Sequence, residues 1–185
     1  MNGNDSNRQF AAVVLAGDRS SSDPLVAASG RGCKALVDID GTPMILRVLA
    51  ALDQSATVGS ITICGPSSAS IATEGRLGRL IAEQRIAWQA PQATPSTSAW
   101  QALAATVPET PVLLTTADHP LLRADIIDHF CREALATGAD AVVGLAPYAL
   151  VRELFPGMRK TVLRFRDDEY CGCNLFAFLT PAGRQ

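Results

Sequence analysis

The sequence lacks the features that mark several large classes of protein. No apolar run approaches the ~20 residues that a membrane span needs, and the opening MNGNDSNRQF holds no apolar stretch of the kind a secretory signal requires. There is almost no imbalance of charge, since 16 basic residues stand against 18 acidic ones for a net charge of −2. A face for a phosphodiester backbone shows as a basic excess, so the composition points away from nucleic acid and from a membrane surface. Cysteine is sparse and unpatterned. The five present, Cys33, Cys64, Cys131, Cys171 and Cys173, are odd in number and without CxxC spacing. That argues against a disulfide framework or a structural zinc site and makes a reducing cytoplasm the plain expectation. No internal repeat and no linker divides the chain. Two phosphate-binding signatures are also missing: GxxxxGK[ST] does not occur, and Gly30-x-Gly32 does not stand between a strand and a helix as a dinucleotide fingerprint requires.

What is present is 185 residues, 48% hydrophobic and 18% charged, enough for one domain with a sizeable core. Residues 1–10 read as a disordered polar tail and residues 11–185 as the domain. AAVVLA, 11–16, is a short apolar strand closed by Gly17. Residues 18–33 are small and polar, with one proline and two glycines, and read as a long mobile loop. In TPMILRVLAALDQS, Thr42 is expected to cap a helix with Pro43 at its first position, and Met44, Ile45, Val48, Leu49 and Leu52 recur at helical spacing.

SITICG is a second strand, and a helix is expected from about Ala69 to Glu83. ATPSTSAWQALAA reads as a loop entering a helix, and TPVLLTTAD as the next strand. RADIIDHFCREALATG is a helix with Ile126, Ile127, Phe130, Ala134 and Leu135 on one face and Gly138 as its stop. DAVVGL follows as a strand, and KTVLRF and CNLFAF as two strands around RDDEY. Strands alternating with amphipathic helices predict a three-layer, Rossmann-like α/β sandwich with a mainly parallel sheet. Thr180-Pro181 signals a helix start five residues before the last residue, so a C-terminal portion of the domain is expected beyond it.

In such a sheet ligands bind outside the carboxyl ends of the strands. Three stretches meet that rule: the loop after Ala16-Gly17, the segment Ser96 to Ser98, and Asp118. The first carries Gly17, Arg19, Arg31 and Lys34. Its backbone amides can cradle phosphate oxygens and its cations neutralise them, or it is a surface loop with incidental charges. Asp118 ends an apolar run, in TTADHPLL, where it either forms an Asx-type turn into the next helix or holds a Mg²⁺ ion against a phosphate. His119 beside it is a poor Mg²⁺ ligand and reads as a supporting or structural group. His129 lies inside a helix and reads as a surface residue. Asp38-x-Asp40 imitates a DxD metal motif, but VDIDGTP is better explained as a short strand and an Asp-Gly turn.

Four pieces in order, VVLAG, CKALVDIDGTPMILRVLAAL, LLTTADHPLL and GCNLFAF, resemble the nucleotidyltransferases of the nucleotide-diphospho-sugar transferase fold. The branch most similar is that of the molybdenum-cofactor guanylyltransferase. The resemblance runs from about residue 11 to the end. It implies that Ala16, Gly17, Arg19 and Lys34 bind a triphosphate and that Asp118 is a Mg²⁺ ligand. It further implies that Ser96 or Ser98 contacts the base and that Asn174 with Gly172 lies near the acceptor. Lys34, Arg19 and Asp118 become the expected catalytic groups.

The sequence departs from the pattern in two ways. Asp18 replaces the second glycine of the usual loop, and the stretch to Lys34 is long. The family's second metal-binding side chain has no evident counterpart. The activity implied is Mg²⁺-dependent transfer of a nucleoside monophosphate from a nucleoside triphosphate to a phosphorylated small molecule, by a cytoplasmic monomer or homodimer. A glycosyltransferase of related fold, using Asp38 and Asp40, and a non-catalytic nucleotide-binding protein are the alternatives.

Overall fold

The computed structural model describes residues 9–17 and 24–185. Each strand of the central sheet is a run that the hydrophobic pattern marks. β1 (Phe10–Leu15), β4 (Val58–Cys64), β5 (Ala87–Gln89) and β6 (Val112–Thr116) are all parallel, in the order β5-β4-β1-β6. β9 (Glu169–Phe178) then pairs antiparallel to β6, and β7 (Ala141–Pro147) antiparallel to β9. β7 therefore runs with the parallel strands, and the sheet is mixed at one side only. β1 and β6 lie at its centre, and both are nearly sealed from solvent: Val13, Val14, Val112 and Leu113 are buried. That is why they read as unbroken apolar runs instead of alternating ones.

Helices cover both faces. α2 (Met44–Asp53), α4 (Gly75–Ala82) and α6 (Ala124–Thr137) pack on the face presented by Ala12, Val14, Ile63 and Leu113. α5 (Pro95–Ala105) packs through Ala102 and Leu103 on Val13, Cys64, Val112 and Leu114 of the other. The three-layer α/β sandwich with its mainly parallel sheet is thus the observed fold.

Local chemistry moves several boundaries. β1 starts at Phe10, one residue inside the expected tail, because the Phe10 ring is fully buried in the core; residues 1–8 lie outside the described residues. The expected 18–33 loop contains a short helix, α1 (Pro24–Ser29), and its residues 18–23 lie outside the described ones. Thr42 does not cap α2, and Pro43 stands one position before its first residue, Met44. They form β3 (Thr42–Pro43), which pairs with β2 (Asp38–Ile39) across Asp40 and Gly41, both at positive φ (51° and 71°) as a type I′ turn demands. Arg47 locks this hairpin to α2 by donating to the Ile39 carbonyl.

The single helix expected over 69–83 is two, α3 (Ser68–Ala72) and α4. Thr73 turns its hydroxyl back to the Ser70 carbonyl, and the Glu74 side chain accepts the Arg76 N–H to start afresh. On α6 the buried line is Ile127, Cys131 and Ala134, leaving Ile126 exposed at its flank; Gly138 ends the helix in the left-handed conformation. Ahead of β2 the chain makes a 3₁₀ turn over Lys34–Leu36, in which Ala35 and Leu36 are buried.

One polar device went unread. Asp128 of α6 accepts hydrogen bonds from Ser55 Oγ (2.5 Å), Thr57 Oγ1 (2.9 Å) and the Thr57 and Ala56 N–H groups (3.1 and 3.3 Å). It thereby ties α6 to the turn that feeds β4. Asp128→Ala removes this shared acceptor, while the Thr57 N–H keeps Ser55 Oγ (3.2 Å) and the two hydroxyls keep each other (3.0 Å), so a loss of roughly 1–3 kcal/mol is expected. In urea unfolding this should appear as a lower midpoint with an unchanged slope; an unchanged midpoint would show that the network carries no net stability.

Candidate functional site

A cavity of about 590 Å³ opens at the carboxyl ends of the parallel strands, between the loop after β1, the turn after β6, and the segment leading into α5. This is where open α/β sheets bind ligands, and the size suits a small molecule. Asp118 lies on its wall because β6 is a central strand that stops at Thr116. Lys34 reaches the same wall because its neighbours Cys33, Ala35, Leu36 and Val37 are all buried and fix its backbone. The two side chains meet, with Lys34 Nζ 2.6 Å from Asp118 Oδ2. The carboxylate thus points across the cavity and does not cap α6, which begins at Ala124.

Burial of the Asp118 carboxyl acts to raise its pKa, but the hydrogen bond from Lys34, the Thr116 hydroxyl and the lysine's charge outweigh it, so the group titrates below the ordinary carboxylate range. Thr116 Oγ1 itself makes no hydrogen bond of good geometry among the described residues. It acts on Asp118 by proximity. His119 also titrates below its ordinary range, but from the opposite balance: burial lowers its pKa, Asp118 raises it in part, and Lys160 lowers it further. Its Nδ1 is sealed from solvent without a hydrogen-bond partner among the described residues.

Both shifts have the same consequence in acid. A histidine held neutral in the fold lets the unfolded chain take the proton first, so stability falls once the pH drops below about 6.5. A carboxyl held ionised adds stability that is complete above its unfolded pKa near 4 and disappears as the pH falls through the lower folded value. Thermal unfolding against pH should therefore show a first decline beginning near pH 6.5 that His119→Gln removes. A decline unaltered by that substitution would assign it to other groups.

The expected binding residues divide by position. Ala16, Gly17, Lys34, Ser98, Asp118 and Asn174 line the cavity. The Ala16 N–H is already given to the Cys64 carbonyl (2.9 Å), so Gly17 carries the first loop amide free to meet a phosphate among the described residues. Arg19 lies outside the described residues. Ser98 is buried and its Oγ accepts the Gln92 N–H (2.9 Å), which makes it the support of the 90–94 segment; Gln92 lines the cavity beside it and is exposed. Ser96 sits exposed on the first turn of α5, outside the cavity, and Gly172 pairs with Leu145 away from it.

Asn174 enters the cavity through a bulge. Between Val143↔Phe176 and Leu145↔Gly172 the β7/β9 register shifts, and Asn174 takes φ 54°. A non-glycine residue in that region inside a strand is costly and is a known device for aiming a side chain. Asp38 and Asp40 are elsewhere: Asp38 is ion-paired with Arg31, and Asp40 projects into solvent from its turn. Neither lines the cavity.

In the sequence Gly65 is marked only as the end of a strand. It has φ +87°, and a Cβ there would stand 2.9 Å from the Ala16 carbonyl carbon and the Gly17 nitrogen. Only glycine lets this turn press against the loop that follows β1.

Three solved structures share this architecture. A hypothetical transferase from Thermus thermophilus is 25% identical, with a TM-score of 0.67. CMP:2-keto-3-deoxy-manno-octonic acid synthetase, solved in complex with CTP, is 13% identical with a TM-score of 0.64. 4-Diphosphocytidyl-2C-methyl-D-erythritol synthase from Anaerococcus prevotii is 12% identical with a TM-score of 0.60. The matches cover 94%, 96% and 93% of this chain but 66%, 76% and 70% of theirs, so the chain spans just under two thirds of the first relative's length. No curated protein matches the sequence. Among the described residues no helix is long and apolar enough to cross a membrane. The MobA-like NTP transferase domain matches residues 12–161, from β1 through Asp118 to the segment before β8 (Leu163–Arg164), and the chain belongs to that family.

Proposed function

We propose that the chain moves a nucleoside monophosphate from a nucleoside triphosphate to a phosphorylated small-molecule acceptor, releasing pyrophosphate. The observation that carries this reading is the meeting of Lys34 and Asp118, 84 positions apart in sequence, in a cavity at the carboxyl end of the sheet of an NTP transferase domain. An oxygen of the acceptor phosphate attacks the α-phosphorus. A new P–O bond forms, the bond from the α-phosphorus to the bridging oxygen breaks, and pyrophosphate leaves with that electron pair. The work left to the protein is alignment and neutralisation of charge.

Asp118 fits a magnesium ion as a single ligand. Among the described residues no group of three or more His, Cys, Asp or Glu could form a protein cage, and Mg²⁺ does not need one, since it keeps waters and bridges one or two carboxylates to substrate phosphates. Bound there, Mg²⁺ would supply charge neutralisation at the phosphate oxygens. The chain's own part is to offer the Gly17 amide and the Lys34 ammonium, joined by Arg19, to the triphosphate. Asn174 stands on the acceptor side, and the 90–94 segment carried by Ser98 stands beside the base.

The test is a pyrophosphate-release screen over four nucleoside triphosphates and a panel of phosphorylated sugars, alditols and pterins, with and without Mg²⁺. It is paired with thermal shifts, since any ligand that binds the folded state raises stability by mass action. Mg²⁺-dependent release with at least one pairing is expected. Thermal stabilisation without release for any pairing would replace the transferase with a nucleotide-binding protein.

A further inference from the structure

The stretch from Tyr148 to Arg166, comprising α7 (Tyr148–Leu154), the segment after it and β8, contains no buried residue. Yet six of the twelve exposed large apolar side chains among the described residues fall within it: Leu150, Leu154, Phe155, Met158, Leu163 and Phe165. A concentration of this kind marks a surface that meets something. The same stretch holds five of the chain's 16 basic residues, Arg152, Arg159, Lys160, Arg164 and Arg166, against one acidic residue, Glu153. Arg164 is paired with Glu169, and Asp167 and Asp168 sit at the hairpin tip. Arg152, Arg159, Lys160 and Arg166 make no ion pair among the described residues.

Its position follows from the sheet. Tyr170 pairs with Pro147 of β7 on one side and with Leu163 of β8 on the other, so β8 lies on the edge of β9 that β6 occupies further along. β6 ends at Thr116 and β8 begins beyond it, leaving a gap opposite residues 171–175 of β9. Asp118, His119 and the bulged Asn174 stand at that gap, and the charge of Lys160 is felt by both His119 and Cys173. The cationic, apolar stretch therefore enters the sheet beyond the end of β6, on the side of the cavity where Asn174 stands. A second copy docking there about a two-fold axis would set these cations against one another, so the complementary occupant is an anion with an apolar body.

Resting on the transfer reaction above, we propose that the acceptor is an amphiphilic phosphate monoester. Its phosphate lies at Arg159 and Lys160, facing the α-phosphorus, and its hydrocarbon portion lies along Leu154, Phe155, Met158 and Phe165.

The experiment is calorimetric titration of the full chain, without nucleotide, with ethyl, hexyl and decyl phosphate below their micellar concentrations, followed by pyrophosphate release with the same three. Affinity is expected to rise at least about a hundredfold from ethyl to decyl, a small part of the roughly fourfold per methylene that full burial allows. Phe155→Ser with Phe165→Ser, both exposed in the fold, should flatten that dependence, while Arg159→Ala with Lys160→Ala should weaken all three esters alike. Equal affinity for the three esters overturns the proposal. So does sedimentation of a dimer that the paired Phe substitutions dissociate, or binding to phosphatidylglycerol vesicles without binding to the monomeric esters. Release of pyrophosphate with sugar phosphates but not with alkyl phosphates would also overturn it, and would leave nucleotidyl transfer standing. Chain-length-dependent binding with no release for any acceptor keeps the amphiphile surface and removes the transferase.

Discussion

Asp118→Asn is expected to abolish Mg²⁺-dependent pyrophosphate release, lowering kcat/KM by a factor on the order of 10³, while the fold survives. The size follows from deleting a charged group that acts directly on the reacting phosphates. Survival follows from exposure: about a third of the Asp118 side chain is open to solvent, and its partner Lys34 is equally open, so the broken ion pair costs little stability. The substitution also has a consequence that simple damage to the site would not produce. A neutral amide no longer offsets the Lys34 charge, which then acts in full on an incoming anion. Metal-free triphosphate binding should hold or strengthen even as turnover disappears. An active Asp118→Asn variant, or one that loses triphosphate binding together with activity, would contradict the role given to Asp118.

Lys34→Ala separates catalysis from grip. The Lys34 backbone is held by a 3₁₀ turn in which Ala35 and Leu36 are buried. A fixed ammonium helps most where charge builds up, so its loss should lower kcat/KM by a factor on the order of 10² with a much smaller fall in triphosphate affinity. The same change removes the strongest influence holding the Asp118 carboxyl low and leaves burial, which raises it, unopposed from that side. The acid limb of the pH–rate profile should therefore move to higher pH in the variant. Equal losses of binding and rate, with an unmoved acid limb, would make Lys34 a ground-state contact only.

The sheet was legible because its central strands are sealed on both faces, which leaves apolar runs such as VVL and VLL with little ambiguity. The place of Asp118 at the end of a buried run was legible for the same reason, whereas the choice between a turn into the next helix and a group in the cavity was not. Boundaries failed where local hydrogen bonding competes with periodicity. Thr42-Pro43 has the chemistry of a helix start, but the Asp40-Gly41 turn commits both residues to a hairpin first. Thr73 and Glu74 break a helix whose apolar spacing continues across them.

Within the site, the sequence pointed to Ser96 or Ser98 but not to the use of either. Ser98 spends its hydroxyl on the Gln92 backbone, a contact that depends on tertiary placement. Gly65 left no signal beyond a strand end, since its need for glycine comes from the approach of Ala16 and Gly17, distant in sequence. The amphiphilic face of 148–166 was hidden for a similar reason, because its apolar residues look like core until the structure leaves them uncovered.

The central claim is that Lys34 and Asp118 serve transfer of a nucleotidyl group. The most direct measurement follows the fate of label from triphosphate carrying ³²P at the α or the γ position, in parallel reactions with Mg²⁺ and the acceptor panel. The account predicts that α-label appears on the acceptor and γ-label in pyrophosphate, both lost in Asp118→Asn. Label that stays in the triphosphate under every acceptor, while the triphosphate still raises the melting temperature, would contradict it.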